Sequence, residues 1–333
     1  MAHTQQAGPP GLDLARLGPY LERAGLAAGP LTAEVIGGGL SNLTYLVRDA
    51  AGAACVVRRP PLGHVLATAH DMGREYRVLT ALAGSGVPVP RTYALCRDED
   101  VIGAPFYVME YVPGTVLHTG TPRFGPRPEG FVPDPEIERL LLDLADVLAR
   151  LHALDHTALG LADFGRPQGY LARQVRRWRR QLDASRSRDL PGLDLLHDRL
   201  AATVPPDAGP GSILHGDFKL GNTVIGDDGR IGAVLDWEMS TLGDPLTDLA
   251  LFLLYSEAEG YGAGLAERYA AASGRSVARL GWYLGLACLK LAVIAEGIHF
   301  RHRKGLTVGE GFDTIGDQVV PLAERGLRAL EED

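Results

Sequence analysis

The chain has 333 residues, more than one small core requires and enough for two lobes. Its 46% hydrophobic and 22% charged content, with mean hydropathy at zero, are ordinary for a soluble globular protein. A formal net charge of -8 argues against a general nucleic-acid binder but leaves room for a local basic pocket. After a polar leader with no apolar stretch suited to a signal peptide, "LGPYLERAGL" reads as a short helix. "LTAEVIGGGLSNLTYLVRDAAGAACVVRRPP" then reads as strand, glycine turn, strand, hairpin and strand, because β-branched runs are broken by Gly37, Gly38, Gly39 and Gly52. "AHDMGREYRVLTALAGSG" has helical spacing at Met72, Tyr76, Leu79 and Leu82, and glycines close it. "PFYVMEYVPG" predicts a buried strand ended by a Pro-Gly turn.

Residues 115–133 are rich in Gly, Pro, Thr and Arg, as a junction would be, and helices dominate beyond them. Asp134 caps, Pro135 takes the first helical position, and Ile137, Leu140, Leu141, Leu144, Leu148 and Leu151 form one apolar stripe. "NTVIGDDGRIGAVLDW" is two short apolar runs around Asp228-Gly229, a hairpin signal. The stretch "LGWYLGLACLKLAVIAEG" is only marginally long enough to cross a membrane and carries Lys290, so a buried core helix is expected. The 3 cysteines (Cys55, Cys96, Cys288) lie far apart in apolar contexts and read as buried free thiols. The expected organisation is α+β: a leader and short helix over 1–29, a small mixed lobe with antiparallel sheet over 30–112, and a mainly helical lobe over 113–333. A soluble cytoplasmic protein, with no membrane or nucleic-acid partner, is the matching expectation.

Chemistry concentrates in "ILHGDFKLGN", where His215, Asp217, Lys219 and Asn222 crowd together, and in "IGAVLDWEMS", which brings Asp236 and Glu238. A metal site built on His215 and Asp217 lacks a further His at ligand spacing nearby. A purely structural hydrogen-bonded turn would explain a lone His or Asp, but not the whole cluster. Asp217, Lys219 and Asn222 repeat the order of the protein-kinase catalytic loop, and the hairpin delivers Asp236 where kinases place a magnesium-binding aspartate. Phosphoryl transfer needs a carboxylate to take the acceptor's proton and hard oxygen ligands for magnesium, and these residue types supply both.

"HGDFKLGN" with "LDWE" resembles the signature of aminoglycoside phosphotransferase-like and choline-kinase-like enzymes, which share the two-lobed protein kinase-like fold. "RRPPLGHVLATAHDMGREYRVLTAL", "PVPRTYALCRDEDVIGAPFYVMEYVPG", "LDWEMSTLGDPLTDLA" and "AEGIHFRHRKG" are similar to the kinase-like domains of acyl-CoA dehydrogenase fusion proteins. The resemblance covers roughly residues 30 to 325. It implies ATP between the lobes, Mg2+ as cofactor and a small-molecule hydroxyl acceptor.

Carried over by position, Asp217 is the base that orients the acceptor and Lys219 approaches the moving phosphoryl group, while Asn222 and Asp236 are the metal ligands. The glycine-rich turn would cover the phosphates with Gly38, Gly39, Ser41 and Asn42, although Asn42 stands where a third glycine is usual. Arg58 takes the place of the phosphate-binding lysine, with Glu75 as its helix partner; strand alternation lets only one of Arg58 and Arg59 face the nucleotide. Glu110 and Val112 would offer main-chain atoms to adenine. His215 is expected to brace the loop, and Asp244 and Asp248 to hold the catalytic segment. Arg173, Arg176, Arg177 and Arg180 share a helix face that could meet an anionic acceptor or simply be solvated. Arg301 has the same two readings, with the helix dipole as the plain one. The resemblance implies a hydroxyacyl-CoA or related hydroxy acid as acceptor; an aminoglycoside or choline-like alcohol is the alternative, and a catalytically silent nucleotide-binding module is the rival of another class.

Overall fold

The computed structural model describes residues 8–38, 42–62, 71–117, 124, 131–207, 209–306, 312 and 314–332. Two compact units emerge: residues 1–115 with 224–238, and residues 116–223 with 239–333. The sequence suggests a single cut near residue 112, with the hairpin inside the helical lobe. Instead the segment 224–238 groups with the first unit, where the Val234 amide donates to the Pro88 carbonyl at 2.8 Å.

In the first unit, helix α1 (Leu14–Arg23) precedes strands β1 (Leu31–Gly38), β2 (Leu43–Asp49) and β3 (Ala54–Arg59). Helix α2 (Met72–Leu82) follows, then β4 (Thr92–Cys96), β5 (Phe106–Glu110) and the short β6 (Thr115–Val116). The first five strands form one antiparallel sheet in the order β1-β2-β3-β5-β4. Asp13 caps α1 through the amides of Ala15 and Arg16, and Asp71 caps α2 through that of Arg74, which sets both starts. Alternation along the strands divides the apolar residues between two faces. Tyr45, Val47, Cys55, Val57, Phe106 and Val108 pack with Leu17 and Leu21 of α1, while α2 lies against β4 and β5.

The same alternation sends the two arginines that end β3 to opposite faces, and neither is solvated. Arg59 faces the α1 side and donates Nη1 to the carbonyls of Gly11 (2.5 Å) and Ile102 (2.8 Å), clamping two loops. Arg58 faces the α2 side.

In the second unit α3 (Pro135–Ala153), α4 (Tyr170–Ser185) and α5 (Pro191–Ala202) precede β7 (Ser212–Leu214). The hairpin strands β8 (Thr223–Ile225) and β9 (Ile231–Val234), which group with the first unit from residue 224 on, form a three-stranded sheet in the order β6-β8-β9. The strand β10 (Thr241–Gly243) pairs antiparallel with β7, too short for any periodicity to announce it. Among the described residues the helices α6 (Leu246–Ala258), α7 (Leu265–Ser273), α8 (Leu280–Arg303) and α9 (Val319–Glu331) follow in this unit. The core is built from α4, α5, α6, α8 and α9, with Trp178, Trp282, Leu196 and Leu289 among its buried members. Helix α8 is apolar and long enough to cross a membrane, but it forms the centre of this core. All three cysteines are buried and free.

Candidate active site

The glycine turn between β1 and β2 is described only in part. Gly38 pairs with Leu43 at its start, whereas Gly39 and Ser41 lie outside the described residues. Asn42, at its end, is buried, and its Nδ2 donates to Glu75 Oε1 (2.7 Å) and Glu238 Oε2 (3.0 Å). The side chain at the position of a third glycine therefore ties the turn to two carboxylates.

Arg58 is the centre of this cluster. Its Nε donates to Glu75 Oε2 at 2.9 Å, Nη1 to Thr44 Oγ1 at 3.0 Å, and Nη2 to Asp236 Oδ1 at 2.6 Å. The side chain is 12% exposed and that of Glu75 only 2%. Burial alone would disfavour the guanidinium charge, but Glu75, Tyr107, Asp236 and Glu238 outweigh it and hold Arg58 protonated. Glu75 also accepts the Tyr107 hydroxyl at 3.0 Å, so Asn42, Arg58 and Tyr107 all donate to it. Asp236 has φ 66°, rare for a side-chain-bearing residue, and its side chain is 30% exposed.

Glu110 and Val112 follow in and after β5. The Glu110 amide donates to the Arg91 carbonyl at 2.8 Å, and its carboxylate accepts the Arg91 amide at 3.1 Å. Val112 is half-buried beside Gly232 of β9.

In the second unit Asp217 ends a sharp turn after β7. Gly216 has φ 87°, and a Cβ there would lie 2.6 Å from the Met239 carbonyl oxygen, so no other residue fits. The amides of His215 and Gly216 donate to Asp248 Oδ2 (2.6 Å) and Oδ1 (3.0 Å) on α6, and the Asp217 amide donates to His215 Nδ1 (3.2 Å). Asp248 thus holds the segment and His215 braces it. Asp244 caps α6 at the Leu246 amide and accepts the Tyr283 hydroxyl.

The Asp217 carboxylate receives Lys219 Nζ (2.7 Å) and Asn222 Nδ2 (3.1 Å) at Oδ2, and the Tyr255 hydroxyl (3.0 Å) at Oδ1. Burial would raise its pKa, but Lys219 and Lys290 overcome that and hold the carboxyl below its usual range. The carboxylate is ionised and held in a fixed direction by these three donors. Tyr255 and Lys290 are functional candidates that motif reading passes over, because they stand on α6 and α8, far along the chain.

Asn222 gives its amide hydrogens to the Asp217 carbonyl (2.8 Å) and carboxylate (3.1 Å). The Asn222 side-chain carbonyl and the Asp236 carboxylate are each hard oxygen donors of the kind magnesium takes. The two stand in different units. Among the described residues there is no group of three or more His, Cys, Asp and Glu that could hold a metal by itself.

The arginine face of α4 is only partly available. Arg173 donates to the carbonyls of Gln168 and Arg166, and Arg179 pairs with Asp183 and Asp194. Arg176, Arg177 and Arg180 are exposed, Arg177 lying over the Trp178 ring. Arg301 stands in the last turn of α8, where its charge opposes the helix dipole.

The chain is 36% identical over 325 residues to acyl-CoA dehydrogenase family member 11 of Gallus gallus, matching 90% of this chain and 40% of that protein. The human protein of the same name is 34% identical, over 87% of this chain and 39% of its own length. The chain thus spans about two fifths of the curated relatives it matches. A crystal structure from Ralstonia eutropha, assigned by name to the aminoglycoside phosphotransferases, superposes with TM-score 0.79 at 33% identity, covering 96% of this chain and 98% of that one. Plasmodium vivax ethanolamine kinase shares the fold, with TM-score 0.61 at 13% identity over 91% of this chain and 84% of its own. The family model described as phosphotransferase enzyme family matches residues 32–283, a span that contains both residue clusters. The chain belongs to the phosphotransferase enzyme family, and its two-lobed kinase-like fold is that of small-molecule kinases.

Proposed function

We propose that the chain transfers the γ-phosphoryl group of ATP to a hydroxyl of a small molecule, with magnesium as cofactor. The observation that carries this reading is the Asp217 carboxylate, ionised and gripped by Lys219, Asn222 and Tyr255. The acceptor oxygen attacks the γ-phosphorus, the bond from that phosphorus to the β-phosphate oxygen breaks, and the hydroxyl proton passes to Asp217. ADP is the leaving group. Magnesium, when bound, offsets negative charge on the phosphate oxygens. Asn222 Oδ1 and the Asp236 carboxylate would hold it.

Lys219 supplies a positive charge beside the transferring group and orients Asp217 meanwhile. Arg58 serves the phosphates on the nucleotide side, where its remaining N–H groups and its charge are available. Asp236 shares Arg58 before any metal arrives.

For the acceptor we infer a hydroxyacyl-CoA or related hydroxy acid. Two cations, Lys219 and Lys290, act on Asp217, and Arg177 adds to the positive surroundings of Lys290. Such surroundings suit an anionic acceptor better than a polycationic aminoglycoside. The test is a panel of hydroxyacyl-CoAs, hydroxy acids, amino alcohols and aminoglycosides incubated with ATP and magnesium. Mass gain of one phosphoryl group on an acyl-CoA or hydroxy acid supports the reading. Gain on the amines alone transfers the assignment to them, and no gain on any acceptor favours a silent nucleotide-binding module.

A further inference from the structure

Helix α8 is apolar through most of its length, yet Lys290 sits in its middle, half-buried, where burial holds the ammonium pKa below its ordinary value. Desolvating an ammonium is costly, and an apolar residue would pack into such a helix more cheaply. Among the described residues no carboxylate lies within salt-bridge distance of Lys290; its Nζ instead donates to the Gly216 carbonyl. That carbonyl belongs to the peptide plane leading into Asp217. The other end of the plane, the Asp217 amide, donates to His215 Nδ1 at 3.2 Å. The preceding plane is held by Asp248, which accepts the Gly216 amide at 3.0 Å.

We propose that Lys290 is a positioning residue for Asp217: it pins the Gly216 carbonyl, fixes the peptide plane before Asp217, and so aims the carboxylate at the acceptor hydroxyl. Glycine at 216 makes this hold necessary. With φ 87° and no side chain, that residue is the freest joint of the turn, and Asp248 restrains only its amide side. On the carbonyl side the plane is held by Lys290 at its oxygen and by His215 at the Asp217 amide. The proposal rests on the reading of Asp217 as the group that orients the acceptor.

The experiment compares Lys290→Met with Lys290→Arg in the full chain. Met keeps the length of the apolar stem and removes the donor; Arg keeps a charged donor and adds bulk. A lysine that merely packs is better replaced by Met, and a lysine that pins the carbonyl by Arg. Misaiming a reacting group can cost on the order of a hundredfold, so Lys290→Met is expected to lower kcat roughly ten- to a hundredfold. KM for the acceptor and affinity for nucleotide should stay within about threefold, and Lys290→Arg should recover part of kcat.

Hydrogen exchange, read by mass spectrometry on the peptide containing Gly216 and Asp217, should quicken in Lys290→Met and not in Lys290→Arg. If Lys290→Met does not fold, Lys290→Gln, which retains a neutral donor, is compared with Lys290→Leu, and the donor-bearing variant should again be the more active and more protected. Equal turnover and equal exchange in the variants with and without a donor overturn the proposal. If the wild type phosphorylates no acceptor, the reading of Asp217 fails separately, and exchange at this turn still decides whether Lys290 pins it.

Discussion

Asp217 and Asp236 are both acidic, yet their neighbours give them different work. Asp217 is surrounded by donors from its own loop and from α6, and its proposed role begins only when the acceptor arrives. Asp217→Asn should therefore lower turnover roughly a hundred- to ten-thousand-fold, the usual range for losing a general base, while nucleotide affinity persists. Asp236 pairs with Arg58 and would ligate the metal. Asp236→Asn, which tolerates the same left-handed backbone, should lower both turnover and magnesium-dependent nucleotide affinity. Turnover measured beside calorimetric titration with ATP separates the two; near-normal turnover in Asp217→Asn would sink the kinase reading. Arg58 carries structural weight as well. Arg58→Met leaves Glu75 buried with the neutral donors Asn42 and Tyr107 and no cation, and breaking such a pair costs about 3–5 kcal/mol. Denaturant unfolding should show that loss, and Glu75→Gln added to Arg58→Met should recover much of it.

At the scale of elements, the turn after β7 is where backbone and function coincide. Gly216→Ala forces a Cβ into a left-handed residue, 2.6 Å from the Met239 carbonyl, so it should destabilise by about 2 kcal/mol or more and lower turnover too. Urea midpoints and kcat measured on the same variant would test this; a stable, active Gly216→Ala would mean that the turn has room to shift. Strand β3 shows the same economy. Its last two residues are both arginine, and the period of two gives one to Glu75 and Asp236 and the other to the carbonyls of Gly11 and Ile102.

For the whole molecule, pH dependence follows from its buried titrating groups. His152 is buried, its Nδ1 bonds the Tyr269 hydroxyl, and its Nε2 stands 3.6 Å from Asp248 without a hydrogen bond. Burial depresses its pKa from the ordinary 6.5, despite the pull of Asp248. A depressed histidine binds fewer protons folded than unfolded, so stability falls as pH drops below about 6.5 towards the folded value. Burial works against the charge of Asp248 as well, but His152, His215 and the loop amide overcome it and depress its pKa, so its contribution is lost below the ordinary carboxylate value of 3.8. Asp244 and Glu75, both raised mainly by burial, act in the opposite sense as their carboxyls protonate. The thermal unfolding midpoint should therefore fall between pH 7 and about 5, and the slope should flatten in His152→Asn. An unchanged slope in that variant would assign the effect to other groups.

The sequence alone determined the elements whose causes are local. Asp134 and Pro135 announce α3, the alternation of β3 separates Arg58 from Arg59, and Asp228-Gly229 marks the hairpin, because caps, pleats and tight turns are set within a few residues. Even there, reading α1 from residue 17 and α2 from residue 69 misses their starts, since Asp13 and Asp71 are the caps. "HGDFKLGN" brings Asp217, Lys219 and Asn222 together for the same local reason. Only the tertiary structure decided what surrounds them. Tyr255 reaches Asp217 from 38 residues away and Lys290 reaches Gly216 from 74; in sequence the first reads as an ordinary member of an apolar helix and the second only as a charge that speaks against a membrane span. Arg59 likewise has no partner legible in the sequence until the fold brings two distant carbonyls to it. Periodicity records which face of an element is buried, whereas the partner a side chain meets there depends on how distant elements pack, and no spacing along the chain encodes that contact.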